Sequence, residues 1–259
     1  MAQKSHGSIT HTRKIHIFSV LLLVVAAILL CIYFYQQYRI DLAEQQYEQM
    51  RQEKDDKTPK ASPQHDFAAL HEMNPEIYAW VNVPGTVVDY PVLQSQEDNY
   101  YLTHDSNHAE SVSGAIYSNA CNSVDMSDRI TILYGHDMRA DTMFGSLHLF
   151  DEEEFFEQHT VMSVETAQAY YTYEIIGVYN YNDDYLPSQF DVKTEAGMYA
   201  FADALAECQA QGSNITHVRE GVQITSDDRL LVLSTCIASQ SDRRFLVVGR
   251  LISTIDYES

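Results

Sequence analysis

The chain has 259 residues, 45% of them hydrophobic, which gives room for one sizeable folded domain plus an accessory segment and argues against global disorder. Its formal charge of −21 is unevenly spread: residues 1–60 carry a net of +2 and the remaining 199 a net of −23. A domain that acidic repels phosphate backbones, which speaks against nucleic acid as a partner, and it favours solubility and cationic partners.

In chain order, the first feature is IFSVLLLVVAAILLCIYFY, residues 17–35, with no charge across 19 positions. About 20 apolar residues span a bilayer as a helix. The run continues past its only small-residue pair, Ala26-Ala27, so an uncleaved anchor is expected, with a cleaved signal peptide as the alternative. Lys4, Arg13 and Lys14 precede the span, which by the positive-inside rule puts residues 1–16 in the cytoplasm and the C-terminal part outside the cell membrane. Residues 39–57 are rich in helix formers of mixed charge without a wide apolar stripe, and residues 58–64 (TPKASPQ) contain two prolines. Residues 36–64 are therefore expected to form a solvated stalk helix and linker, followed by an outer domain over 65–259.

That domain opens with FAALHEM, a short helix capped by Asp66, and Asn74-Pro75 predicts the start of a second helix. From Trp80 the pattern changes to short runs rich in valine, isoleucine, threonine and tyrosine, bounded by Gly, Pro, Asn and Asp. These are WVNV, VVDYPVL, GAIYS, RITILYG, VMSVET, YYTYEIIGVYNYN, VQIT, RLLVLSTC and RFLVVGRLI. Helical stretches interrupt them around residues 143–150 and 197–209. Eight or so short strands with minor helices predict a mainly β fold, a closed barrel or sandwich.

Of the four cysteines, Cys31 lies within the apolar span, leaving Cys121, Cys208 and Cys236 outside. An odd number on an oxidising side leaves at least one thiol free or paired between chains. No Cys/His spacing resembles a zinc site, and no metal or other cofactor is implied. Cys236 ends a predicted strand and opens a polar loop, where a scaffold presents reactive groups. The following strand begins with Arg243-Arg244, two of the domain's 8 basic residues. A cation beside a thiol favours the thiolate and can neutralise an oxyanion. His136, one of eight histidines in the domain, is likewise delivered to a loop by a strand and a glycine. Cysteine nucleophiles use an imidazole distant in sequence, though spacing alone does not select His136.

The segment LSTC, followed eight residues after the cysteine by Arg244-Phe245, with YGHDM upstream, resembles the sortase signature, in which a cysteine closes a TLxTC strand and an arginine opens the next. NPEIYAWVNVPGTVVDYPV, YPVLQSQEDNYYL, GAIYSN and ILYGHDMRADTMFGSL are similar to class B sortases, and the similarity runs over about residues 66–255. The resemblance implies a closed barrel of about eight strands preceded by a helical pair. It makes Cys236 the nucleophile, His136 the acid/base and Arg244 the stabiliser of the oxyanion or substrate. It also matches Ser234, Tyr134 and Leu102 to the groove that binds the sorting signal. Val232 replaces the first threonine of TLxTC, Ile-Ala-Ser follows Cys236 in place of the usual class B pattern, and Asn99 falls out of step with its expected position. A one-residue slip in register would exchange Arg243 for Arg244.

The family mechanism implies cleavage after a threonine in the C-terminal sorting motif of a surface protein, a thioester acyl-enzyme, and transfer to an amine of peptidoglycan or its precursor. The alternatives are a pilin-polymerising sortase, an extracellular cysteine hydrolase, and a membrane-tethered domain that only binds.

Overall fold

The computed structural model describes residues 6–52, 62–138, 141–213 and 215–257. The chain divides into two compact units, residues 1–45 and 46–259. The first is formed by most of α1 (His6–Gln52), whose segment from Phe18 onward is long and apolar enough to cross a membrane, with large side chains such as Phe18, Leu23 and Leu29 exposed. At 1.5 Å per residue, residues 17–35 reach about 28 Å, close to the thickness of a hydrocarbon core.

The second unit takes in the last turns of α1. The sequence predicts a solvated stalk here, yet Tyr47 and Met50 are buried, the Tyr47 ring meets Tyr90 edge-on, and Arg51 Nε donates to the Asp89 carbonyl at 2.7 Å. Most of the expected linker, residues 53–61, lies outside the described residues. Next comes α2 (Phe67–Met73), with the Asp66 carboxylate accepting from the Ala69 N–H as its cap. The expected second helix does not form. Asn74 instead ends α2, and Ile77–Asn82 becomes β1, because Ile77, Trp80 and Val81 are wholly buried between two neighbouring strands. Tertiary packing here overrides a local helix-start signal.

The remaining strands are β2 (Asp89–Leu93), β3 (Ile116–Tyr117), β4 (Ile130–Tyr134), β5 (Val161–Thr166), β6 (Ala169–Asn182), β7 (His217–Val218), β8 (Leu230–Ile237) and β9 (Gln240–Asp256). They run in the order β5-β1-β2-β3-β4-β8-β9-β6, and β6 pairs back to β5, closing an eight-stranded barrel, with β7 added outside on β6. VQIT forms no strand, and β7 lies just before it at His217–Val218. The predicted helical stretches become a 3-10 helix (Gly145–Asp151) and the longest helix of the outer unit, Glu195–Ala210, with shorter helices at Glu153–Gln158 and Leu186–Gln189. In chain order the helices after α2 are α3 (Glu153–Gln158), α4 (Leu186–Gln189) and α5 (Glu195–Ala210).

Most strand pairs are antiparallel, but β2–β3 and β4–β8 are parallel. α5 lays Met198, Phe201, Leu205 and Cys208 onto Ile130, Ile132, Leu230, Val232, Leu246 and Val248 of β4, β8 and β9, forming one apolar layer. All four cysteines are free thiols, and Cys208, on the buried face of α5, has its Sγ donating to the Asn180 carbonyl at 3.1 Å. Cys121 and Cys208 therefore do not pair.

Both ends of the outer unit are fastened at one buried carboxylate. Glu165 accepts hydrogen bonds from the Gln64 N–H and the Tyr257 hydroxyl, both 2.6 Å, and from His65 Nδ1, whose ring stacks on Trp80. Burial alone would raise the Glu165 pKa, but these bonds outweigh it and hold it below the usual carboxylate value. A depressed carboxylate contributes stability that is present above its unfolded pKa and lost as the pH falls through the folded one. Glu165→Gln is therefore expected to cost on the order of 3–5 kcal/mol at neutral pH and to flatten the loss of stability below about pH 4.5. Urea melts of wild type and variant across that range test this, and identical acid profiles would refute it.

Candidate active site

Side chains alternate across a strand, so the face that α5 covers can be followed to its open end. On β8 the covered residues Leu230 and Val232 are succeeded by Ser234 and Cys236; on β4, Ile130 and Ile132 by Tyr134; on β9, running the other way, Val248 and Leu246 lead to Arg244. Where α5 no longer covers the sheet, a cavity of about 300 Å³ opens. All six residues singled out from the sequence line it: Leu102, Tyr134, His136, Ser234, Cys236 and Arg244.

Cys236 stands directly opposite Arg244 in the β8–β9 ladder, and its thiol is exposed. Arg243 pairs with Asn182 and borders a separate small cavity beside Cys208, so the register turns Arg244, and not its neighbour, toward the cysteine. The Arg244 Nη1 donates to the carbonyls of Arg243 at 2.8 Å and Ser241 at 3.4 Å, which holds the guanidinium against its own hairpin.

His136 arrives through the parallel pairing of β4 and β8. Tyr134 lies opposite Ser234, and the Gly135 N–H extends the ladder to the Ser234 carbonyl at 3.3 Å, so His136 leaves the sheet at the end where Cys236 does. The His136 Nε2 is 2.7 Å from the Leu102 carbonyl. A carbonyl only accepts, so Nε2 carries the proton and Nδ1 is the nitrogen able to take or return one.

The Leu102 carbonyl is itself held in place. It ends a 3-10 turn, Tyr100–Leu102, entered through Asn99 in the left-handed region at φ 62°. The Asn99 side chain accepts from the Tyr117 hydroxyl at 3.1 Å, and its N–H donates to Asn119 Oδ1 at 3.0 Å. Gly114, at φ +57°, backs directly onto the turn, and a Cβ there would lie 2.8 Å from the Leu102 oxygen and closer still to that of Tyr101.

No local signal in the sequence points to Tyr117, Tyr181 and Tyr185, which also line the cavity, or to Asp183 and Asp184 at its border; Asn99, left unassigned, is there too. In a chain with 18 tyrosines nothing sets these three apart. Tyr117 and Tyr134 stack with ring centres 5.4 Å apart. Asn119 Nδ2 donates to the Tyr185 hydroxyl at 2.8 Å, and that hydroxyl donates to Asp98 at 3.3 Å. Burial is the main reason the Tyr185 phenol is pushed up to about 12, and it raises Tyr117 and Tyr134 as well. The tyrosine side of the cleft is thus neutral, aromatic and hydrogen-bonding. Among the described residues no cluster of three or more His, Cys, Asp or Glu side chains could hold a metal ion.

Residues 81–252 match the family model of the sortase domain. Sortase B of Listeria monocytogenes is 29% identical over 188 residues, covering 71% of this chain and 73% of that protein. The solved structure of Clostridium perfringens sortase B superimposes with a TM-score of 0.64 at 31% identity, over 73% of this chain and all of that one. A Staphylococcus aureus sortase B–substrate complex gives 0.61 at 27% identity, over 72% of this chain and 84% of that one. A sortase B complexed with triglycine gives 0.61 at 26%, over 72% and 85%. The barrel, the matched residues and these relatives agree: the chain belongs to the sortase family of cysteine transpeptidases, alongside its class B members.

Proposed function

We propose that this enzyme cleaves the C-terminal sorting motif of surface proteins after a threonine and transfers the new carboxyl end to an amine of peptidoglycan or its precursor. The observation that carries this reading is the meeting of Cys236, Arg244 and His136 at one open cleft, with Cys236 and Arg244 directly cross-strand. The Cys236 thiol gives its proton to His136 Nδ1 and the thiolate attacks the threonine carbonyl carbon, while Arg244 offsets the negative charge that develops on the carbonyl oxygen. As the C–N bond breaks, His136 gives its Nδ1 proton to the leaving nitrogen, and a thioester remains. An incoming amine attacks the thioester and loses a proton to His136. The C–S bond then breaks and the thiolate returns. Ser234, Tyr134 and Leu102 line the cavity beside Cys236 and bind the sorting signal in this reading. The substrate and triglycine complexes of related sortase B enzymes support the two halves of the reaction. The span at residues 17–35 anchors the enzyme, with residues 1–16 cytoplasmic and the domain from residue 65 outside, an orientation favoured by Lys4, Arg13 and Lys14.

The test is incubation of the full chain with a panel of sorting-motif peptides, with and without an added amine, read by mass spectrometry. A peptide–amine conjugate formed by wild type and not by Cys236→Ala is expected. Release of the acid alone, whether or not amine is present, would make the enzyme a hydrolase. Arg244→Ala is expected to lower kcat by about 100- to 1,000-fold, and Arg244→Lys to recover little of it, because a point charge does not reproduce a planar guanidinium.

The Leu102 carbonyl gives a separate handle on His136. Gly114→Ala is expected to cost at least about 1–2 kcal/mol for the left-handed backbone and to displace that oxygen. The imidazole nitrogens of His136 should then lose their single-tautomer NMR signature and turnover should fall. An unchanged His136 signature in a folded variant would show that Leu102 does not set the tautomer.

A further inference from the structure

One imidazole that the mechanism leaves out connects the two segments that it uses. His148, half-buried in the 3-10 helix Gly145–Asp151, has its Nε2 3.0 Å from the carbonyl oxygen of Cys236 and 3.6 Å from a carboxylate oxygen of Asp137. Its Nδ1 lies 3.7 Å from Asp151, and its ring is packed against Phe245 of β9 with centres 4.8 Å apart. The carbonyl it meets sits where the ladder slips: Cys236 is opposite Arg244, but Ile237 is opposite Gln240. At this bulge the nucleophile's own peptide is held from outside the hairpin, by His148. Asp137 directly follows His136, and its backbone bridges Met143.

We propose that His148 is a positioning residue for the reaction, clamping the Cys236 peptide to the loop that carries His136 through the Cys236 carbonyl and the Asp137 carboxylate. This rests on Cys236 and His136 being the reacting pair. The charge state of the imidazole fits the role. Burial disfavours its protonation, but hydrogen bonding to Asp151 and to the Cys236 carbonyl, together with the charges of Asp151 and Asp137, outweighs burial and raises the pKa above the ordinary histidine value. The groups around it are Asp137 from the β4 exit, Asp151 from its own turn and the Cys236 carbonyl of β8, with Asp141 and Glu152 beside it on the lining of a second cavity, separate from the cleft. Below the raised pKa the imidazolium attracts both carboxylates and donates to Cys236. Above it, the neutral ring can keep only one N–H, and the attraction to Asp137 is lost.

The experiment measures kcat and KM for the conjugation reaction of the full chain across about pH 5–9, with wild type, Cys236→Ala, His148→Phe and His148→Gln side by side. His148→Phe keeps a ring against Phe245 without a donor, and His148→Gln keeps an N–H donor that does not titrate. His148→Phe is expected to lower kcat by about 10- to 100-fold, the scale of a misplaced reacting group, with peptide KM within about twofold. His148→Gln should recover much of that loss at alkaline pH and lack the alkaline-side decline that wild type shows from this ionisation. If His148→Phe melts early, His148→Gln carries the test: an altered pH profile at unchanged KM supports the role, and an unaltered one overturns it. Equal kcat in wild type and a folded His148→Phe at every pH overturns the positioning role alone. A wild type indistinguishable from Cys236→Ala overturns the parent reading and this one with it.

Discussion

The site depends on one interaction, the parallel pairing of β4 with β8. Two parallel strands leave a sheet at the same edge, so a histidine and a cysteine 100 residues apart are carried to one rim by the register that puts Tyr134 beside Ser234. An antiparallel pairing would send the two residues to opposite ends of the barrel. A slip of one residue would turn the side chains of Ser234 and Cys236 into the barrel and put that of Thr235, now 2% exposed, on the face they occupy. The arrangement needs a long crossover, and the chain between β4 and β8 supplies it while building β5, β6 and the helix α5. The β8–β9 hairpin then adds Arg244 without further long-range pairing, since a cross-strand partner comes with the turn.

Leaving that rim open has to be reconciled with a stable barrel, and α5 settles where the uncovered part lies. The helix buries the apolar half of a continuous sheet face; the other half carries serine, tyrosine, cysteine and arginine in place of valine, isoleucine and leucine. The fastening of the chain ends lies far from this opening. Glu165 pairs across from Tyr170, whereas Arg244 at the cleft pairs across from Tyr181 of the same strand. At about 3.3 Å per residue the two points are roughly 35 Å apart along β6. A loss of the Glu165 bonds therefore weakens the frame without touching the cleft directly.

These relations explain what could be read from the sequence. Strands with alternating or β-branched runs are visible in the sequence, and Cys236 and His136 near their ends, but only the resemblance singles out His136 among eight histidines; the polar loop expected after Cys236 is a tight hairpin, since β8 runs on to Ile237 and β9 begins at Gln240. Arg244 was separable from Arg243 only through the register, which no single strand contains. The helix expected at Asn74-Pro75 failed because a local start signal says nothing of the two strands that bury Ile77 and Trp80. The end of α1 was misjudged for the same reason: Tyr47 and Met50 are too few to make an apolar stripe, yet both meet the barrel. Tyr117, Tyr185 and His148 act through Asn99, Asn119 and the Cys236 carbonyl, which lie 18, 66 and 88 residues away, so no short window of sequence contains their role.

The charge of the outer domain finally sets two distances against each other. A net of −23 over residues 61–259 gives that domain a negative field, and Asp183 and Asp184 border the cleft itself. That field is screened beyond about 8 Å at physiological salt, whereas Arg244 stands directly across the ladder from Cys236. Negative charge that develops during a reaction in such a domain is offset by cations placed beside it and not by the field of the whole. The same acidic surroundings raise the local concentration of cations in solution, and an amine acceptor is one. In the proposed transfer, an acidic domain with one arginine at its cleft separates two demands: its field favours a cationic amine, while Arg244, fixed by strand register opposite Cys236, offsets the charge that develops on the scissile carbonyl oxygen.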